Sequence, residues 1–152
     1  MRNSYRNKDV VQIAIHFMQE NLSKTIRLAD IAAEVNLSVS YFSNLFEEKT
    51  GSSPLRYLTY LRIQEACHYL DFTNLKINQI SPLVGYEDSL YFSRLFTKTM
   101  GVPPSAYKEK KKRLRLTPST NSRSGKEQPG GRSLRTNYNP DYPPSHNVQQ
   151  EG

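Results

Sequence analysis

The stretch YFSNLF at Tyr41–Phe46 returns fifty residues later as YFSRLF at Tyr91–Phe96, with a single letter changed, Asn44 to Arg94. The match extends to either side. At the same offset Gly51, Pro54 and Tyr57 recur as Gly101, Pro104 and Tyr107, while upstream Ile31 and Val35 return as Ile80 and Val84 at an offset of 49. The segment between these two matched blocks is therefore one residue longer in the second copy.

Each copy reads as a pair of helices. In LADIAAEV, Leu28, Ile31, Ala32 and Val35 recur at helical spacing, and the small alanines let a second helix approach closely. Ser38 is a good N-cap for a following helix in which Phe42, Leu45 and Phe46 share one face, and Gly51 stops it. In the second copy Ile77, Ile80 and Val84 predict a short helix ending at Gly85. Asp88 then caps a helix carrying Phe92, Leu95 and Phe96, which ends at Gly101. Short helix, tight turn and longer helix is the layout of a helix-turn-helix, whose second helix can enter the DNA major groove. A solenoid needs three or more stacked units, and no third copy is present.

The flanking chain completes an all-α fold class of about seven helices, forming two helix-turn-helix units joined by a long linker helix. Val10, Ile13, Ala14, Phe17 and Met18 predict a first helix capped by Asp9 and ending near Leu22. Ser53 and Pro54 start the linker helix, with proline in the first turn where its missing N–H does no harm. It runs to about Phe72, on the order of 27 Å, with Leu55, Leu58, Ile63, Ala66 and Leu70 as packing positions. A last helix begins near Pro104 and runs into KEKKKR. No stretch alternates apolar and polar residues as a strand does. The expected organisation is a short lead at 1–8, units at about 9–52 and 74–112 around the linker 54–72, and a basic tail at 113–152. That tail, rich in Ser, Pro, Gly and Asn, holds too few apolar residues to offset the entropy of ordering and is expected to be disordered.

Charge and composition narrow the function. Net charge is +7, of which residues 1–112 supply +4 and the tail +3, a balance that suits a polyanionic partner such as nucleic acid or simply keeps the surface soluble. Cys67 is the only cysteine, which excludes an intrachain disulfide or a cysteine metal cluster, and it reads as a small buried hydrophobe. His16, His68 and His146 lack metal-ligand spacing, and no catalytic constellation emerges, so the chain reads as a binding protein and not an enzyme. No run of 18 apolar residues is present, which gives a cytoplasmic protein with no membrane partner as the expectation.

At about 100° per residue, Ser40, Ser43, Asn44 and Glu47 fall roughly opposite Phe42, Leu45 and Phe46, and the equivalent outward set in the second copy is Leu90, Ser93, Arg94 and Thr97. The copies thus agree in their cores and differ on their outer faces. Two reading heads need such a difference, because bases are told apart by donors, acceptors and the thymine methyl along the groove. Arg94 suits guanine, Asn44 suits adenine, the serines suit several bases, and Leu90 suits a thymine methyl. Glu47 reads better as a solvated charge than as a partner of cytosine. Tyr41, Tyr57, Tyr91 and Tyr107 recur within the repeat and read as packing residues with a polar tip.

VGYEDSLYFSRLFTKTMGVPPSAYK, with LADIAAEVNLSVSYFSNLFEEKTGSSPLRYLTYLRIQEA before it, resembles the DNA-binding domain of the AraC/XylS family of bacterial transcription regulators over about Asp9–Lys110. The resemblance implies a rigid linker and recognition helices in major-groove segments about 34 Å apart on one face of the DNA. It also implies that Ser40, Ser43, Asn44, Ser89, Ser93 and Arg94 face the bases, with Lys24, Arg56, Lys76 and Lys108 as candidate phosphate contacts. A monomer on double-stranded DNA with no cofactor is expected; activation through contact with RNA polymerase, common in the family, is the expected outcome, although repression fits the same residues. With about eight residues before Asp9, a stand-alone regulator is expected. The alternatives are the C-terminal DNA-binding part of a larger sensor regulator and an α-helical protein-interaction module. Two positions depart from the family pattern: Arg27 stands where a small polar cap is usual, and Pro82 is expected to kink or shorten its helix.

Overall fold

The computed structural model describes residues 2–116, and all its regular elements there are helices: α1 (Arg2–Glu20), α2 (Leu28–Glu34), α3 (Val39–Thr50), α4 (Pro54–Phe72), α5 (Ile77–Leu83), α6 (Ser89–Met100) and α7 (Pro104–Leu116). Two ends differ from expectation. Helix α1 begins at Arg2, so Asp9 lies inside it and caps nothing; no glycine or proline between residues 2 and 8 stops a helix growing backwards. Helix α7 continues through RLRL to Leu116, so residues 113–116 are helical and not tail. The rest of the expected tail, 117–152, lies outside the described residues.

The two copies close their short helices in the same way, although the connection to the next helix is one residue longer in the second. Asn36 and Gly85 hold the left-handed conformation, with φ of 56° and 92°, just past the ends of α2 and α5. Around them Leu37 N–H donates to the Ala32 carbonyl at 3.1 Å and Asn36 N–H to Ala33 at 3.1 Å, while Tyr86 N–H donates to Ser81 at 2.8 Å and Gly85 N–H to Pro82 at 3.2 Å. Both are Schellman closures, which satisfy the last carbonyls of a short helix and turn the chain sharply. Helix starts are also matched. Arg27 N–H donates to the Asp30 carboxylate and Lys76 N–H to the Gln79 side chain, each at 2.8 Å, so an acceptor in the first turn replaces the missing small polar cap. Pro82 sits in the last turn of α5 without shortening it, since α2 and α5 both have seven residues.

The chain divides between Arg62 and Ile63, inside α4, into two compact units. In the first, Val11, Ala14, Ile15 and Met18 of α1 pack with Ile31, Ala32, Phe42, Phe46, Tyr57, Leu58 and Leu61. In the second, Ile63, Ala66, Cys67 and Leu70 pack with Ile80, Val84, Phe92, Phe96 and Tyr107. Helix α4 is thus part of both cores and not a bare spacer, although Leu55, expected to pack, is exposed.

An aromatic ladder recurs in each unit. Phe42–Phe46–Tyr57 have ring centroids 5.6 and 5.3 Å apart, and Phe92–Phe96–Tyr107 have 5.9 and 5.7 Å, the last contact edge-on in both. Burial of each phenylalanine contributes about 1.5–3 kcal/mol.

Long cations tie down the loop before each short helix. The Arg62 guanidinium donates to the carbonyls of Leu22 (3.1 Å) and Lys24 (2.7 Å), and the Lys108 ammonium donates to that of Leu75 at 2.7 Å. One buried position differs between copies at a cost. Ser81 takes the place of Ala32, and its fully buried hydroxyl finds no hydrogen-bond partner among the described residues. Ser81→Ala should therefore stabilise the second unit by about 1 kcal/mol, read as a higher urea midpoint with an unchanged slope. An unchanged or lower midpoint would mean the hydroxyl is satisfied.

Candidate nucleic-acid interface

Helices α3 and α6, each of twelve residues, are built to present one face. Their starts are fixed by side chains: Ser38 Oγ accepts from Tyr41 N–H at 3.2 Å, and Asp88 Oδ1 accepts from Leu90 N–H at 2.9 Å and Tyr91 N–H at 3.2 Å. Their ends are fixed by Gly51 and Gly101 at φ of 77° and 80°, where a side chain would be strained. Their backs are fixed by Phe42 and Phe46 or Phe92 and Phe96, all fully buried. What remains free on each helix is its outer face.

The six base-facing candidates separate on that face. Ser40, Asn44 and Arg94 are exposed, whereas Ser43, Ser89 and Ser93 are half-buried. The Ser93 hydroxyl donates to the Ser89 carbonyl at 2.8 Å, and Ser43 Oγ is buried with no partner among the described residues. These two recurring serines lie at the margin between core and surface. Leu90 is 72% exposed, as a thymine-methyl contact requires, and Glu47 and Thr97 are exposed as well.

Tyr41 and Tyr91, expected to pack, are instead 50% and 52% exposed, whereas Tyr57 and Tyr107 are buried. The signal was available. Tyr41 and Tyr91 lie three residues before Asn44 and Arg94, a spacing that puts each on the same helix face as its partner. Tyr91 leans on Tyr86, their ring centroids 6.0 Å apart.

Among the phosphate candidates, Lys24 and Lys76 are exposed and Arg56 is half-buried. Lys108 is half-buried and braces Leu75, as above, so its first role is structural.

The single cysteine packs in the core behind α6. Cys67 is buried on α4, and burial pushes its thiol from the ordinary 9.0 up to about 12, with a Tyr107 hydrogen bond opposing the shift. Burial also raises the Tyr107 phenol, whose hydroxyl donates to Asp71 at 3.4 Å; Asp71 lies 3.6 Å from the Lys111 ammonium. A thiol held protonated is a packing group and not a nucleophile. Because the folded value lies above the unfolded one, the stability tied to Cys67 is complete below pH 9 and is lost as pH rises towards 12. Cys67→Ala should flatten part of that decline in denaturant titrations from pH 8 to 11, Tyr107 keeping the remainder. An identical decline in the variant would remove Cys67 from the account. Among the described residues no three His, Cys, Asp or Glu side chains are grouped to hold a metal, and no helix is long and apolar enough to cross a membrane.

A duplicated helix-turn-helix with one exposed face per copy defines the class of protein, and comparison with known proteins agrees. A family model described as "Helix-turn-helix domain" matches residues 31–110. The chain belongs to the AraC/XylS family, through its DNA-binding helix-turn-helix domain. It is 39% identical over 94 residues to the MmsAB operon regulatory protein of Pseudomonas aeruginosa, covering 62% of this chain and 31% of that one. It is 40% identical over 102 residues to the lactose operon transcription activator of Staphylococcus xylosus, covering 67% and 36%. The chain thus spans about a third of the length of the curated relatives it matches. Among solved structures, the C-terminal domain of AraT, a response regulator from Geobacillus stearothermophilus, superposes with a TM-score of 0.64 at 33% identity, over 66% of this chain and 84% of that one.

Proposed function

We propose that this chain binds double-stranded DNA in a sequence-specific manner and regulates transcription, with α3 and α6 each reading one major-groove segment. The observation that carries this reading is the repeat itself: the same buried Phe–Phe–Tyr ladder and the same glycine stop hold two exposed faces that differ at Asn44 and Arg94. A core conserved between copies beside a face that differs is what two readers of different bases need. Tyr41, Tyr91 and Leu90 add apolar and hydroxyl contacts to those faces. Exposed Lys24 and Lys76, with Arg56, are the phosphate contacts that position the heads.

Two heads on one chain supply what a symmetric dimer otherwise supplies, so the protein acts as a cytoplasmic monomer on an asymmetric site. Its relative from Staphylococcus xylosus is a transcription activator, and activation through RNA polymerase is the regulatory outcome proposed here. Selection of random duplexes with the purified chain tests the reading. Two enriched half-sites about one helical turn apart are expected. No enrichment at any salt concentration would overturn it in favour of a protein-interaction module.

A further inference from the structure

The faces of α3 and α6 differ in charge as well as in hydrogen bonding. On α3 the exposed side chains Glu47, Glu48 and Lys49 leave a formal charge of −1; on α6 exposed Arg94 and Lys98 give +2. The two sets occupy matching positions. Asn44 and Glu48, one turn apart on a single face, correspond to Arg94 and Lys98, and Glu47 corresponds to Thr97.

The surrounding turns do not cancel the contrast. Residues 24–56 add Lys24, Arg27 and Arg56 against Asp30 and Glu34 for a total of 0, and the equivalent residues 73–106 add Lys76 against Glu87 and Asp88 for a total of +1. Beyond α6, the exposed Lys110, Lys112 and Arg115 of α7 extend the positive charge of the second unit.

DNA presents a row of phosphates on both sides of the groove that a recognition helix enters. Two cations on the face gain from that field, whereas a carboxylate in the same place opposes it and releases no counterion. We infer that the two heads are unequal: α6 anchors the protein on DNA, and α3 discriminates among anchored sites while Glu48 weakens its own hold. This rests on the duplex-reading function proposed above.

A weak, selective head tethered to a strong one has a physical use. Once α6 is bound, α3 meets its half-site as an intramolecular event, at an effective concentration set by the tether. A mismatch at the α3 half-site then lowers occupancy without releasing the protein, so sites form a graded series. Two equally strong heads would hold the protein on half-sites of either kind.

The test starts from the selected duplex. Repeating the selection with Arg94→Ala identifies the α6 half-site as the one whose preference changes. Each half-site is then scrambled separately and binding is measured from 50 to 200 mM salt. Scrambling the α6 half-site should cost on the order of 100-fold in affinity, and scrambling the α3 half-site about tenfold or less. Glu48→Gln should raise affinity by roughly 3- to 10-fold at the lowest salt, on duplexes with the α3 half-site intact or scrambled, and the gain should shrink as salt rises.

Equal or reversed losses on scrambling would overturn the proposal while leaving the duplex-reading function intact. Lower affinity in Glu48→Gln, with relaxed preference at one base pair of the α3 half-site, would overturn it too and make Glu48 a reader of cytosine. Failure to enrich any duplex sinks the underlying function instead. Glu48 is exposed, so its substitution leaves the core untouched, and an unchanged circular dichroism spectrum checks this.

Discussion

Arg94→Ala should lower affinity for the selected duplex by about 10- to 100-fold, or 1–3 kcal/mol, while binding to unrelated sequence changes far less. The size follows from geometry. Arg94 stands on a helix whose first turn is pinned by Asp88 and whose back is pinned by Phe92 and Phe96, so the guanidinium is presented from a rigid support. A planar fork on such a support can donate twice to guanine, and alanine leaves both guanine acceptors unpaired. Arg94→Lys keeps the charge but not the fork, so it should recover the salt dependence and only part of the base preference. Competition binding with single-base variants of the duplex reads both effects. A loss equal for every sequence would make Arg94 a phosphate contact.

Phe96→Ala should destabilise the second unit by about 3–5 kcal/mol, the range for truncating a fully buried phenylalanine. Phe96 is 0% exposed and is the middle rung of the second ladder, with ring centroids 5.9 Å from Phe92 and 5.7 Å from Tyr107. Its removal leaves a cavity between α6 and α7 and strips the edge contact that seats Tyr107. A domain of this size has about 5–15 kcal/mol in total, so the loss approaches unfolding. Urea titration followed by circular dichroism should show an early transition for the second unit, with the first unit's transition unmoved. Phe46→Ala should reverse that assignment. A shift below 1 kcal/mol in either variant would mean that the ladder repacks and that the repeated Phe-x-x-x-Phe spacing is not the support of the reading helix.

The parts of the structure legible in the sequence were those fixed by neighbouring residues. Ser38, Asp88, Gly51 and Gly101 mark the ends of α3 and α6 because caps and left-handed stops act within one turn. Phe42, Phe46, Phe92 and Phe96 were legible as core because α3 and α6 each have a narrow apolar stripe. The starts of α2 and α5 fall at Leu28 and Ile77 as the apolar spacing predicts, but how they are capped was not legible: the acceptor that serves the Arg27 or Lys76 N–H lies three residues downstream, in Asp30 or Gln79.

The sequence by itself determined an all-helical, twice-repeated protein with a divergent outer face on each second helix. Helix periodicity and the fifty-residue repeat are properties of one dimension, and they survive without knowledge of neighbours. Tertiary packing decided which way α1 turns: Val10, Val11, Ile13, Ala14, Ile15, Phe17 and Met18 form an arc too broad to orient itself. Contact with α2 and α3 buried Val11 and Ile15 and left Ile13 half in solvent. Packing also split four recurring tyrosines into two buried beneath α3 and α6 and two exposed on them, and it assigned Lys108 to the Leu75 carbonyl. A repeat says that two positions are equivalent, but only the packing of helices against one another says whether that shared position meets the core or the solvent.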